Sequence, residues 1–118
     1  MGSDGLKIGV IGAGAWGTAL ARLLASSGNS VQLWCHEPET AKNILQKHVN
    51  TSFLPDILLP ESLGASTDLL EIVRNSRILA AAPPSHLTRE IAKKIRPEIT
   101  AEHILLIRSK GSEQQTLA

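Results

Sequence analysis

The feature that most constrains this chain is an alternation. Four short, near-continuous apolar segments, Leu6–Ile11 (LKIGVI), Val31–Cys35 (VQLWC), Arg77–Ala82 (RILAAA) and His103–Ile107 (HILLI), are separated by stretches with helical periodicity. A strand that is apolar at nearly every position is buried on both faces, and such strands belong to parallel sheets covered by helices on both sides. Crossovers between parallel strands are right-handed. The expected fold is therefore α/β: a doubly wound, mainly parallel sheet in three αβα layers, with strand order 3-2-1-4-5.

The intervening stretches supply the helices. Trp16, Leu20, Leu23 and Leu24 share one face of the first, which ends at SSGN (Ser26–Asn29), where a glycine suits a left-handed cap. Pro38 suits the first position of the second, with Ala41, Ile44, Leu45 and Val49 as its inner face. Thr67 or Asp68 can cap a short helix running to Val73, and Ser85 can cap another carrying Leu87, Ile91 and Ile95. Asn50–Leu63, with Pro55 and Pro60, is expected to be a loop. GAST near Gly64 is expected to hold a short strand. At the far end, SEQQ (Ser112–Gln115) has the form of a capping box, so a further helix is expected to begin there and the chain to be truncated.

Composition narrows the function classes. The 118 residues, 42% hydrophobic, suit one domain over residues 1–118. A net charge of +1 and 3% aromatic residues give no footprint for nucleic acid or an anionic membrane. One cysteine, Cys35, cannot form an internal disulfide. MGSDG lacks the features of a secretory signal, and position 6 is wrong for myristoylation. No apolar run is long enough to span a bilayer. A cytoplasmic protein is expected.

Between the first two apolar segments, Gly12-Ala13-Gly14-Ala15-Trp16-Gly17 fits G-x-G-x-x-G, with a strand before it and a helix after it. In a Rossmann-type turn Gly12 makes the tight exit from the strand. Gly14 lets a pyrophosphate approach the backbone, and Gly17 lets the helix pack close. The helix N-terminus then offers free N–H groups and a positive dipole end to the anion. About 20 residues further on, where a dinucleotide site reads the adenosine ribose, stand His36 and Glu37. Glu37 would accept the ribose hydroxyls and repel a 2′-phosphate, favouring NAD. His36 would stack on or hydrogen-bond to the adenosine and tolerate NADP. The two neighbours point opposite ways, and Glu37 could equally be only the residue that precedes the helix at Pro38.

Ligands of open α/β sheets lie outside the carboxyl ends of the strands. The glycine turn, His36-Glu37, Pro83-Pro84-Ser85 and Ser109-Lys110-Gly111 all belong to that edge. Lys110 is the cation with the best chemical case, able to meet a substrate phosphate or hydroxyl. Cys35 has no partner that would make it a nucleophile. His36, His48, His86 and His103 show no metal-ligand spacing, so no metal is expected.

In their order and spacing, IGVIGAGAWGTALARLLASSGNSVQLWCHEPE, NTSFLP (Asn50–Pro55), PPSHL and SKG resemble the N-terminal half of bacterial NAD(P)-dependent glycerol-3-phosphate dehydrogenase. The likeness runs from Leu6 to Gly111. It implies interconversion of sn-glycerol 3-phosphate and dihydroxyacetone phosphate, a step toward phospholipids, with NAD or NADP as cofactor. It places Ala15 and Trp16 at the pyrophosphate, His36 at the adenosine and Pro84 at the cofactor. Lys110 falls on the lysine that touches both substrate and cofactor. A homodimer is a candidate assembly for the full-length protein. Departures fall around the nicotinamide end, at Pro83, Leu87, Arg108 and Ser112. The resemblance also implies a helical substrate domain with a second catalytic lysine, expected to follow this cofactor-binding half in the intact protein. Two alternatives remain: a stand-alone dinucleotide-binding module, and a 6-phosphogluconate-type hydroxy-acid dehydrogenase, against which NTSFLP and SKG argue.

Overall fold

The computed structural model describes residues 5–81, 88–101 and 103–107. In chain order the elements are β1 (Lys7–Ile11), α1 (Ala15–Ser26), β2 (Ser30–Trp34), α2 (Pro38–Lys47), β3 (Gly64–Ser66), α3 (Leu69–Arg74), β4 (Ile78–Ala81), α4 (Thr88–Ile95) and β5 (Ile104–Ile107). A single 3-10 turn, Arg96–Glu98, follows α4. The five strands form one parallel sheet in the order β3-β2-β1-β4-β5. This is the expected order, and the apolar runs differ from the strands by one residue at one or both ends.

The continuous apolar character of the strands divides between two cores, because successive side chains point to opposite faces. Ile8 and Val10 of β1, Val31 and Leu33 of β2 and Ala80 of β4 pack with Ala21, Ala25, Ala41 and Ile44 under α1 and α2. On the other face Ile11, Trp34, Leu79 and Ala81 pack with Leu69, Ile72, Val73, Ile91 and Ile95 under α3 and α4. The result is three layers.

The helices depart from the pattern in one instructive way. Of the four residues assigned to a common face of α1, Trp16 and Leu23 are exposed, at 38% and 61%, and Leu20 and Leu24 are only half-buried. The buried face is Gly17, Thr18, Ala21 and Ala25. A Cβ built on Gly17 would collide with the Gly12 carbonyl oxygen, so α1 lies too close to the end of β1 for anything but small residues. In α2 the inward residues are Thr40, Ala41 and Ile44, while Leu45 is exposed and Val49 lies beyond the helix. The expected turn after α1 is present, with Gly28 at φ 95°. Asp68 caps α3, its Oδ1 accepting from Glu71 N–H at 3.2 Å. Ser85, Leu87 and the stretch from Ser112 lie outside the described residues.

The Asn50–Leu63 segment is a loop, as expected, but it is anchored. Leu59 and Leu63 are buried in the α1/α2 core, and Leu59 N–H donates to the His48 carbonyl at 2.7 Å. Arg22 of α1 donates from Nε to the Leu58 carbonyl at 3.3 Å.

Candidate dinucleotide-binding site

The glycine turn leaves the carboxyl end of β1 and enters α1. Gly12 has φ 115°, a conformation that side chains with a Cβ rarely adopt. Its N–H donates to the Trp34 carbonyl at 3.2 Å, which ties the turn to the end of β2. Gly14 is the residue before α1, with an ordinary extended backbone at φ −75° and ψ −170°. A Cβ there would meet nothing within 4 Å. Glycine at 17 thus answers an internal need, whereas glycine at 14 answers none. The first turn of α1 holds no acidic side chain, so the positive end of the helix dipole is not offset by a carboxylate of its own.

Behind the turn lies a residue that the pattern of apolar and glycine residues does not single out. Asn50 is wholly buried, and its Nδ2 donates to the Ala13 carbonyl and to Thr18 Oγ1, each at 2.8 Å. Its Oδ1 accepts from Ser52 N–H at 3.3 Å and Phe53 N–H at 3.2 Å. The available signal is Asn at the head of NTSFLP, since Asn favours turns that its own side chain closes.

At the end of β2, His36 and Glu37 stand side by side, with His36 Nδ1 3.2 Å from Glu37 Oε2 and both side chains exposed. Glu37 precedes α2 at Pro38 but makes no side-chain cap, so its carboxylate is turned to its neighbour and to solvent. The His36 ring meets Trp34 edge-on, with centroids 6.0 Å apart, and Trp34 Nε1 donates to the Thr67 carbonyl at 3.0 Å. A cleft of about 410 Å³ opens there, walled by Trp34, His36, Thr67, Asp68, Glu90 and Lys94. A second cleft, of about 320 Å³, lies toward the amino ends of β1 and β2, away from the turn.

Cys35 is fully buried, and desolvation pushes its thiol up to about 12, which removes it as a nucleophile at ordinary pH. His103 is engaged on both ring nitrogens: Nδ1 accepts from Thr100 N–H at 2.9 Å and Nε2 lies 3.0 Å from the Val73 carbonyl. Among the described residues no cluster of His, Cys, Asp or Glu could hold a metal ion. Nor is any helix among them long and apolar enough to cross a membrane. Pro84 and Lys110, the remaining candidates, lie outside the described residues.

The turn, the β2 edge and the strand order together describe a doubly wound α/β domain, and comparison with known proteins gives it a family. The family described as NAD-dependent glycerol-3-phosphate dehydrogenase N-terminus matches residues 7–118. The chain belongs to this family. The NAD(P)+ glycerol-3-phosphate dehydrogenase of Leptospira biflexa is 42% identical over 112 residues, 95% of this chain and 34% of that protein. The crystal structure of glycerol-3-phosphate dehydrogenase from Coxiella burnetii superposes with a TM-score of 0.83 at 33% identity, covering 91% of this chain and 33% of that one. The Saccharomyces cerevisiae glycerol-3-phosphate dehydrogenase gives a TM-score of 0.84 at 28% identity, over 93% of this chain and 35% of that one. The chain thus spans about a third of the length of the curated relatives it matches. Within this NAD-dependent family, the open approach at Gly14 and the helix end beside it suit a dinucleotide phosphate.

Proposed function

We propose that the whole protein interconverts sn-glycerol 3-phosphate and dihydroxyacetone phosphate with NAD or NADP, and that this chain is its cofactor-binding part. The observation that carries the reading is Gly14. Neither backbone strain nor internal packing requires a glycine there, so the missing side chain leaves room for a group from outside the chain. In this position the N–H groups of the Gly14–Gly17 turn would hold the pyrophosphate, with Ala15 and Trp16 at its edge. Gly12 and Gly17 set the shape of the turn. His36 and Glu37 would face the adenosine, and Pro84 would border the cofactor.

The bound dinucleotide supplies the hydride acceptor, and in reverse the donor, for the carbon bearing the substrate's hydroxyl. The chain's own contribution is position and charge. The Lys110 ammonium would stabilise negative charge developing on the substrate oxygen and help to hold the phosphate. The substrate-holding helical part is proposed to lie in the region corresponding to the rest of the relatives. Cytoplasmic placement, delivery of product to glycerophospholipid synthesis and a homodimeric assembly belong to the same proposal and rest on likeness to the relatives.

Gly14→Val tests the phosphate site. Calorimetry should show NADH binding lost while the melting temperature is kept, because the new side chain projects into open space. Unchanged NADH affinity would sink the reading. In the full-length enzyme Lys110→Ala should remove a charge-assisted contact worth about 1.5–3 kcal/mol, read as a drop in kcat/KM for glycerol 3-phosphate. Kinetics equal to wild type would leave Lys110 a solvated surface residue.

A further inference from the structure

We propose that Asn50 is a positioning residue for the dinucleotide: it aims the backbone N–H of Gly14 at the phosphate by holding the carbonyl on the other side of the same peptide bond. The inference rests on the dinucleotide reading above and adds to it a residue that never touches the ligand. Asn50 lies in the loop after α2, well separated in sequence from the glycine turn, yet its Nδ2 is 2.8 Å from the Ala13 carbonyl oxygen. The Ala13 carbonyl and the Gly14 N–H belong to one planar trans peptide, in which they point in opposite directions. Asn50 is wholly buried, so the carbonyl is drawn inward. The N–H is thereby turned away from Asn50 and its buried surroundings.

The side chain doing this is itself immobilised. Both Nδ2 hydrogens are used, on the Ala13 carbonyl and on Thr18 Oγ1 within α1, and Oδ1 takes the N–H groups of Ser52 and Phe53. The Leu54 N–H closes on the Asn50 carbonyl at 2.8 Å. All four hydrogen-bonding positions of the amide are therefore filled, and only one amide orientation satisfies them, since a flip would set donor against donor and acceptor against acceptor. Left without such a tether, the Ala13–Gly14 peptide could rotate, since Gly14 has no Cβ to restrain it, and the ligand would have to reorder it on binding.

Asn50→Asp is the direct test in the full-length protein. It is nearly isosteric and keeps the acceptor for Ser52 and Phe53, but sets an acceptor against the Ala13 carbonyl. We expect the dissociation constant for NADH and the KM for the nucleotide to rise about tenfold, the size of one lost hydrogen bond. The value of kcat at saturating nucleotide and the KM for glycerol 3-phosphate should stay as in wild type. Thr18→Val, which leaves the Asn50–Ala13 bond in place, should lower the melting temperature without weakening NADH binding. If Asn50→Asp does not fold, Asn50→Ser is measured against the same expectations. Wild-type NADH affinity in the folded Asn50 variant, or an equal loss of affinity in Thr18→Val, would overturn the proposal. If Gly14→Val binds NADH normally, the dinucleotide reading itself fails. If Gly14→Val is dead and the Asn50 variant binds normally, only the role of Asn50 fails.

Discussion

Gly17 and Gly14 carry the same residue type three positions apart for unrelated reasons, and substitution separates them. A methyl group at 17 runs into the Gly12 carbonyl oxygen, backbone against backbone, so neither side can yield by rotating a side chain. Gly17→Ala should cost about 1–3 kcal/mol of stability or more, measured by urea unfolding, and should disturb the turn with it. At the adenosine end, Glu37→Gln removes a carboxylate held 3.2 Å from His36. If Glu37 repels a 2′-phosphate, affinity for NADPH should improve about threefold relative to NADH in calorimetry, the small effect expected of an exposed charge. Cys35 gives a pH signature. Its thiol is ordinary when unfolded, near 9.0, and pushed to about 12 when folded. The unfolded chain therefore loses its proton first, and this contribution to stability is complete below pH 9 and declines as pH rises toward 12. Iodoacetamide at pH 8 should leave the folded chain unmodified and label it in urea.

The elements show where the sequence is legible and where it stops. Four of the five strands follow from the apolar runs, because a strand buried on both faces has no other way to write itself, and β3 follows from GAST near Gly64. Helix positions follow from Pro38, Asp68 and the Gly28 turn. The inward face of α1 does not follow from hydrophobicity, because contact distance decides it: the sheet accepts Gly17, Ala21 and Ala25 and sends Leu23 outward. Of the site, the glycine turn and the His36–Glu37 pair are legible because their spacing is set by the βαβ unit. Asn50 is not, because its partners at 13 and 18 are brought to it only by the folded chain.

Short α3 illustrates how local such contributions are. Asp68→Ala should destabilise it by about 0.5–2 kcal/mol through loss of the bond to Glu71 N–H, visible in thermal unfolding. At the end of α3, Arg74 donates to Glu98 at 2.9 Å and 3.3 Å, which holds the Glu98 carboxyl below its usual range, chiefly by that hydrogen bond. Since the folded value is the lower one, this pairing helps above the unfolded value of 4.5 and is lost as pH falls through the folded one. Arg74→Gln should flatten that part of the acid-unfolding curve.

At the scale of the whole molecule, the sheet is the wall between two cores, and β1 is its central strand, hydrogen-bonded on both edges to β2 and β4. Leu33, fully buried under α1 and α2, and Leu79, fully buried under α3 and α4, test the two sides separately. Truncation of either to Ala should cost about 2–5 kcal/mol in denaturant unfolding, and a single shared transition is expected, since both side chains stand on one sheet.

The pairing of Ile8 with Ile78 also dictates an order of events. A chain leaving the ribosome can close β1, α1 and β2 from neighbouring sequence, but the other edge of β1 stays open until β4 has emerged. For that interval the strand that ends in the glycine turn offers a bare row of amides and carbonyls to any passing strand. Nascent chains whose emerged part ends just short of Ile78 should therefore be sticky, and those that have emerged to a little beyond Ala81 much less so.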